Sequence, residues 1–293
     1  MFDQHQVLLK TLCASLAVAS ALLALGRCST ATAAEKVLLA EGLNNPESAV
    51  VGEDGRIYVT ITGKPDSKDD GQVVVIEDGK ATVIAEGMND PRGIDHRGKE
   101  LFVADKLKVW RIDENAQASV YVDTDAFPVK PRFLNDVEVG PDGDVYISDS
   151  GSFTGNGVIF RIGPKKEVTV VCDTKTAPAI KGPNGLLADG KDHLLLADVS
   201  TGKLFRVEIA TGKVEEIAAG LGGGDGVARD TKGRIYVGDV RGGKVFRVDA
   251  VGSAPVLVAD GFKSAADIAL DAQGRILVPD SRAGTLTALV PSE

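Results

Sequence analysis

The stretch FLNDVEVGPDGDVYISD (133–149) decides the fold, because its pattern returns along the chain. The pattern joins a polar residue, a short apolar strand, a glycine-containing turn and a second strand that ends in Asp. Matching stretches begin at six residues, namely Glu47, Arg92, Asn135, Asn184, Asp225 and Ala266. A repeat of roughly 40–50 residues that builds four short strands is the sequence signature of a propeller blade. The sequence therefore predicts an all-β fold, a six-bladed β-propeller of four-stranded blades.

The two ends of the chain predict how the ring closes. After Ala266 only three strand-like segments remain, so the last blade lacks its outer strand. The stretch EKVLLAEGLNNPES (35–48) matches the fourth-strand phrase KATVIAEGMNDPRG (80–93) almost residue for residue. We therefore expect an N-terminal strand to complete the last blade, within a single domain over residues 35–293. Closure of this kind removes open sheet edges, which invite aggregation.

Residues 1–34 are predicted to be a signal peptide. A basic residue precedes an apolar run from about residue 12 to residue 25, and small residues follow up to Ala34. This pattern is typical of a secretory signal with cleavage near Ala33 or Ala34. A membrane anchor is the alternative, but the run falls short of the roughly 20 apolar residues that span a bilayer. We expect an exported protein, periplasmic or secreted, without a membrane span. Cys28 could instead mark a lipid attachment site, although the preceding Arg27 argues against it.

The net charge limits the kinds of molecule that the protein can bind, and the cysteine content limits its disulfides. The formal net charge is −9, and such a surface repels phosphate backbones, so we expect no nucleic acid partner. Cys172 is the one cysteine after residue 34, which excludes an intramolecular disulfide in the mature chain. It lies in an alternating strand and is predicted to be a small buried hydrophobe. The expected partner is a small-molecule substrate, and the expected oligomeric state is a monomer.

The first positions of the six copies form the candidate functional site. In a propeller these positions lie where one blade crosses over to the next, around the mouth of the central channel. Glu47, Asn135, Asn184 and Asp225 would meet there as a set of oxygen ligands. Hard oxygen ligands suit Ca²⁺, with other divalent cations possible, and disfavour zinc. The alternative is that Asn and Asp occupy these positions because turns favour them.

Three residues near the predicted mouth are candidates for substrate binding. Arg92 belongs to the ring of first positions, and Arg132 precedes Asn135 by three residues. Either guanidinium could bind a carboxylate, a phosphate or a polarised carbonyl. Arg92 could equally form a structural ion pair with Glu47 or Asp225. Phe153 lies on a long loop, 148–157, which opens on the same side, and a second long loop covers 62–71. Long loops on a rigid scaffold commonly set specificity.

Other recurring polar residues are assigned to the scaffold. An Asp ends the second strand of five blades, at Asp105, Asp149, Asp198, Asp239 and Asp280. A residue that recurs in nearly every blade is more simply a turn-former than a catalytic group. His96 and His193 fall at the turns of the opposite face, so a histidine base is not expected. Trp110 lies on a third strand and is expected to pack between blades.

These residues resemble the regucalcin/gluconolactonase (SMP-30/gluconolactonase/LRE-like) family and its relative diisopropyl-fluorophosphatase. The resemblance covers nearly all of residues 35–293 and rests on NNPES around Glu47, FLNDVEVGPDGDVYISD around Asn135, GPNGLLADGKDHLLLAD around Asn184 and GGDGVARDTKGRIYVGD around Asp225. It implies one calcium ion bound by Glu47, Asn135, Asn184 and Asp225, and hydrolysis of lactones or organophosphates. Some lactonases of the family carry a substrate-binding Arg two residues before the third-blade Asn, whereas Arg132 stands three residues before it.

The resulting hypothesis is a calcium-dependent hydrolase that acts on a lactone or related ester. The metal would polarise the carbonyl oxygen, and a carboxylate would serve as the base. Asp225 is the first candidate for that base and Asp136 the second. The alternative is a non-catalytic, calcium-stabilised binding propeller of the NHL-repeat type. A strictosidine-synthase-like condensing enzyme is a third interpretation, but the sequence lacks the late catalytic Glu and the helical cover that it needs.

Overall fold

The computed structural model describes residues 34–64 and 67–291, and these residues form a six-bladed β-propeller. Each of the six sheets has four strands, and every pair of neighbouring strands is antiparallel. The predicted fold class is therefore confirmed. The predicted signal peptide lies outside the described residues except for Ala34.

The strands follow the chain from the axis outward in the first five blades, whereas the outermost strand of the sixth blade is β1 (Glu35–Glu41). The first three blades contain β2 (Pro46–Val51), β3 (Ile57–Ile61), β4 (Gly71–Glu77) and β5 (Lys80–Met88); β6 (Pro91–Arg97), β7 (Glu100–Asp105), β8 (Lys108–Ile112) and β9 (Ala118–Val122); and β10 (Leu134–Val139), β11 (Val145–Asp149), β12 (Val158–Ile162) and β13 (Val168–Asp173). A 3₁₀ turn, Thr124–Ala126, follows β9.

The remaining blades repeat this order. They contain β14 (Pro183–Asp189), β15 (His193–Asp198), β16 (Lys203–Glu208) and β17 (Val214–Ala219); β18 (Gly224–Arg229), β19 (Ile235–Asp239), β20 (Lys244–Val248) and β21 (Val256–Ala259); and β22 (Ala269–Leu270), β23 (Ile276–Asp280) and β24 (Thr285–Val290) with β1 (Glu35–Glu41). Blades are numbered 1 to 6 in this order. The innermost strands contact one another in turn, and β22 contacts β2.

The N-terminal strand closes the ring, as the sequence predicts. β1 pairs with β24 in antiparallel register from Glu35↔Val290 to Glu41↔Thr285. The chain enters the propeller at Ala34, whose N–H donates to the carbonyl of Val258 in blade 5 at 3.3 Å. Blade 6 is thus held together by strands from both ends of the described chain.

The apolar core is divided among the interfaces between blades. Six clusters of buried side chains are present, and each joins two successive blades. The blade 2–blade 3 cluster contains Phe102, Tyr121 and Phe160, with edge-on aromatic contacts. Because both faces of a blade are covered, its strands are apolar runs rather than alternating sequences. Trp110 packs at the blade 1–blade 2 interface, and its Nε1 donates to Asp105 at 2.8 Å.

The recurring Asp residues hold the crossovers between blades. Their carboxylates accept main-chain N–H groups from the segment that leads into the same blade's innermost strand, at 2.7–3.2 Å. The set comprises Asp105, Asp149, Asp198, Asp239 and Asp280. These buried acids therefore satisfy loop donors that would otherwise be orphaned. This is the scaffold role that the repeat predicts.

No helix among residues 34–64 and 67–291 is long and apolar enough to cross a bilayer. Cys172 is the free cysteine of this part of the chain and is buried on β13, as expected. Burial raises the pKa of its thiol to about 12.

Candidate functional site

A β-bulge at the start of the innermost strand turns the candidate side chains toward the channel. In blades 1 to 5 the register between the first two strands shifts by one residue after the opening residue of the strand, because two residues of the innermost strand lie opposite one residue of its neighbour. The residues left out of the ladder are Glu47–Ser48, Arg92–Gly93, Asn135–Asp136, Asn184–Gly185 and Asp225–Gly226. Bulges re-aim side chains and are common beside active sites. The bulge gives the first position of each copy its place at the mouth, the end of the channel where the innermost strands begin.

The four predicted metal ligands are all buried at the mouth. Glu47, Asn135 and Asn184 are each 4% exposed, and Asp225 is 3% exposed. Crowded packing between blades fixes their backbones: a Cβ on Gly185, beside Asn184, would lie 1.9 Å from the carbonyl oxygen of Asp225. A side chain there would push blades 4 and 5 apart.

The two amide ligands are oriented by defined hydrogen bonds. Asn135 donates from Nδ2 to Ser150 Oγ at 2.9 Å, and Ser150 Oγ donates to the carbonyl of Pro183 at 2.7 Å. This chain of donors fixes the amide of Asn135 and leaves its Oδ1 available as an acceptor. Asn184 forms a side-chain hydrogen bond with Asp225.

Each of the two carboxylates has one buried oxygen that no hydrogen-bond donor reaches. Glu47 Oε2 and Asp225 Oδ1 are buried and have no hydrogen-bond partner. Burial, followed by the neighbouring carboxylate of Asp225, raises the pKa of Glu47 well above its usual value. Burial, followed by the carboxylate of Asp267, raises the pKa of Asp225 to about 8. Buried carboxylate oxygens without a hydrogen-bond partner are costly, and a hard divalent cation would compensate both.

The donor set therefore fits a calcium-type ion. It consists of two carboxylates and two amide oxygens, which are hard ligands without a preference for zinc. Within the described ranges no three His, Cys, Asp or Glu side chains gather as a metal cluster. The four candidate ligands do not count as such a cluster, because two of them are asparagines.

Arg92 is already paired with acids at the mouth. Its Nη1 lies 3.7 Å from Glu47 Oε1, and its Nη2 lies 2.9 Å from Asp90 Oδ1. Its guanidinium also lies over the ring of Phe133, 5.0 Å from the centroid. The ion pair with Glu47, one of the two sequence interpretations of Arg92, is thus present.

The structure separates the other two candidates for substrate binding. Arg132 lines a groove of about 220 Å³ together with Lys130 and Lys175, whereas Phe133 packs against Arg92. Phe153 lies on the loop between β11 and β12 and contacts Phe133, with ring centroids 5.1 Å apart. Arg92, Phe133 and Phe153 therefore form one continuous wall, and Arg132 borders a different depression.

Asp136, the second candidate base, lies inside the channel. Its Oδ1 accepts from Val137 N at 2.7 Å, and its Oδ2 accepts from Leu186 N at 2.6 Å. Asp136 and Asp267 line a cavity of about 190 Å³ within the ring of innermost strands. Both oxygens of Asp136 are occupied by main-chain donors, whereas Asp225 keeps one oxygen free. The geometry thus favours Asp225 of the two.

Asp267 is a buried acid of the channel that the first positions of the six copies do not include. It follows Ala266, accepts from Ser48 Oγ at 2.5 Å and forms a side-chain hydrogen bond with Asp136. Burial raises its pKa to about 6. The available signal was the second position of the copies, which reads Ser48, Gly93, Asp136, Gly185, Gly226 and Asp267. Asp136 and Asp267 share this second position, and because the position faces the channel in each blade, two acids there predict a carboxyl pair.

The histidines lie at the opposite end of the blades. His96 is near the end of β6, with Nδ1 3.2 Å from the carbonyl oxygen of Gly98, and His193 begins β15. Both are remote from the bulges where the candidate ligands sit.

Comparison with known families identifies the family of the chain. The SMP-30/Gluconolactonase/LRE-like region model matches residues 91–271, more than half of the chain. The chain belongs to this family. The matched region contains Arg92, Asn135, Asn184 and Asp225, and Glu47 precedes it. A search among curated proteins found no match.

Several solved structures share the fold of this SMP-30/gluconolactonase-like chain. A gluconolactonase from Xanthomonas campestris is 16% identical with a TM-score of 0.71, covering 88% of this chain and 90% of its own. A structural-genomics target assigned to the gluconolactonases through its protein family is 18% identical with a TM-score of 0.68, covering 88% and 92%. An inactive virginiamycin B lyase from Staphylococcus aureus, solved with quinupristin, is 15% identical with a TM-score of 0.61, covering 88% and 99%. At these identities the likeness concerns the fold alone.

Proposed function

We propose that this protein hydrolyses a lactone or related ester with a divalent cation, calcium in the first place, held by Glu47, Asn135, Asn184 and Asp225. Membership of the SMP-30/gluconolactonase-like family supports the reaction class. The observation that carries the metal is the pair of buried, unpartnered oxygens, Glu47 Oε2 and Asp225 Oδ1. Four convergent oxygen ligands leave coordination places for water and substrate.

The proposed chemistry assigns a proton transfer to Asp225. When bound, the cation supplies a Lewis acid for the lactone carbonyl and offsets the two carboxylates. The Asp225 carboxylate oxygen that does not bind the cation takes a proton from a water molecule, and the resulting hydroxide attacks the carbonyl carbon. The ring C–O bond then breaks, and the alkoxide oxygen takes the proton to give a hydroxy acid. The hydrogen bond from Asn184 orients the Asp225 carboxyl for this exchange.

The test combines chelation with matched acid substitutions. Hydrolysis of a lactone panel is measured with calcium, with chelator, and in the variants Asp225→Asn and Asp230→Asn. We expect chelation and Asp225→Asn each to lower kcat/KM at least about 100-fold. Asp230→Asn is the control, because Asp230 lies at the opposite end of blade 5 and pairs with Arg234. Activity that survives both chelation and Asp225→Asn would disprove the metal mechanism. Stabilisation by calcium without any hydrolysis would instead favour the non-catalytic binding propeller.

We also propose that the protein acts outside the cytoplasm. The support is the signal-like pattern of residues 1–34 and the position of Ala34 at the entry of the propeller. N-terminal sequencing of the protein from a secreting host tests it, with an expected start at Ala34 or Glu35. Recovery of the intact chain in the cytoplasmic fraction would contradict export.

A further inference from the structure

Phe153 is an exposed aromatic residue in an unusual backbone conformation at the mouth. Its φ is 61°, in the left-handed region, and it is 36% exposed. Glycine and asparagine accept this conformation readily, but a bulky residue pays for the crowding of its Cβ. A strained residue that also exposes an apolar ring suggests a functional constraint.

Two blades hold Phe153 in this position. Its N–H donates to the carbonyl of Ser150 at 3.0 Å, within the same loop. Its carbonyl accepts a hydrogen bond from Ser200 Oγ, which belongs to blade 4. These two bonds fix the main chain of Phe153 between blades 3 and 4.

The ring of Phe153 extends the wall that begins at the candidate ligands. Phe133 meets it edge to face at an interplanar angle of 61°, and Phe133 is two residues before Asn135. Arg92 covers Phe133 and contacts Glu47. A substrate whose carbonyl lay at Glu47 and Asp225 would therefore have the two phenyl rings alongside its substituent.

The charge on this wall is already balanced. Asp90 and Glu47 pair with the Arg92 guanidinium, and Phe133 covers one of its faces. The neighbouring cations Lys130, Arg132 and Lys175 line the separate groove. Lys106 also pairs with Asp90, at 4.0 Å. The Phe133 and Phe153 rings themselves carry no charge, so this wall favours an uncharged apolar group over a carboxylate or phosphate.

We propose that Phe133 and Phe153 form an apolar subsite for the substituent of the lactone, so that alkyl-substituted lactones are preferred to polyhydroxylated sugar lactones. The proposal rests on the proposed function and specifies its substrate class. Burial of a methylene group against the rings favours binding by about threefold per carbon. Phe153 is a specificity-determining residue in this assignment.

The experiment compares chain length with ring removal. Hydrolysis is measured for γ-lactones with unbranched alkyl groups of increasing length and for a sugar lactone, in wild type, Phe153→Ala and Phe133→Leu. Val251→Ala is the matched control, because Val251 is an exposed apolar residue (67%) on the turn between β20 and β21. We expect kcat/KM to rise with chain length in wild type and in the control. Phe153→Ala should lower kcat/KM for the longest chain about tenfold more than it lowers kcat/KM for the unsubstituted lactone.

A second measurement separates this inference from the reaction itself. Alkylcyclopentanones have a lactone-like ring but cannot be hydrolysed, so calorimetry reports their binding even if the protein hydrolyses nothing. We expect their affinity to rise with chain length and to lose that dependence in Phe153→Ala. Three results would overturn the subsite: no dependence on chain length, the same dependence in Phe153→Ala, or an equal loss on the sugar lactone. Loss of hydrolysis with retained chain-length-dependent binding would overturn the proposed reaction alone.

Discussion

Glu47 and Asp225 each bury a carboxylate oxygen that no protein donor satisfies, and this makes the mouth costly to fold without a cation. The scaffold acids differ from them in this respect. Asp239, in the same blade as Asp225, accepts from the N–H groups of Gly223 and Gly242 at 2.7 and 2.9 Å. Of these two buried acids in one blade, Asp239 stabilises the fold through its hydrogen bonds, whereas Asp225 destabilises it when no cation is bound.

We therefore predict opposite effects of neutralising these two acids in the absence of metal. Asp225→Asn removes an uncompensated acid and should raise the free energy of unfolding by about 2 kcal/mol in chelator at pH 8. Asp239→Ala orphans buried donors and should lower it by about 3 kcal/mol. Urea denaturation of both variants measures the difference. Equal losses of stability would show that Asp225 is a scaffold residue.

Cys172 is predicted to be chemically inert in the folded protein. Its pKa of about 12 leaves almost no thiolate at pH 8, and the thiolate is the reactive form. We expect no alkylation of Cys172 in the native protein and full alkylation in denaturant, as measured by peptide mass spectrometry. The variant Val170→Cys places a thiol at an exposed site of the same strand and should react within minutes. Rapid native labelling of Cys172 would indicate that blade 3 opens.

The individual candidate ligands can be predicted from the sequence only as far as the repeat aligns them. The first positions of the six copies share one place, so Glu47, Asn135, Asn184 and Asp225 fall together as soon as the blades are counted. Contacts between a repeat position and a loop residue do not recur from blade to blade. Ser150 binds Asn135, and Phe133 rather than Arg132 meets Arg92, because each contact depends on one loop's backbone.

At the scale of the strand, the β-bulge is the device that turns a scaffold element into a site. It removes two residues from the ladder at the inner end of each of blades 1 to 5. The apolar run of a blade strand does not reveal such an insertion, because it shows no alternation that the extra residue could reverse. The strands themselves were predictable from their apolar runs and turns, and their register at the axis was not.

The closing strand offers a direct test of the ring. Ala40 on β1 is buried at 4%, whereas Leu38 on the same strand is 55% exposed. We predict that Ala40→Asp lowers the free energy of unfolding by more than about 3 kcal/mol, because it places an unpaired charge in the blade 6–blade 1 core. Leu38→Asp is the control and should change it by less than about 0.5 kcal/mol. Similar effects in thermal melts of the two variants would contradict the pairing of β1 with β24.

At the scale of the whole molecule, the metal should stabilise the ring in a pH-dependent way. The pKa of Asp225 is raised to about 8, so the metal-free fold binds a proton that the unfolded chain releases near pH 4. Stability of the metal-free protein should therefore fall as the pH rises from about 4 to about 8. Calcium bound at Asp225 would compete with that proton and would offset the loss.

We predict that the gain in Tm on adding calcium grows across this pH range. Thermal melts with calcium and with chelator at pH 5, 6.5 and 8 provide the measurement, and Asp225→Asn should flatten the trend. A calcium gain of the same size at every pH would assign the ion to a site without Asp225. Calcium that changed Tm nowhere would contradict the metal site as a whole.

The pairing of β1 with β24 also sets an order of events during folding. β1 is the first strand of the propeller to be synthesised, and its partner Thr285–Val290 is the last. Contacts between distant segments slow folding, because the chain loses the entropy of loop closure before the contacts form and stabilise it. The ring therefore stays open until nearly the whole chain is available, and an exported chain would complete it only after translocation. A circular permutant that moves residues 34–42 behind residue 291 would make this pair local, and it should refold faster than the natural order.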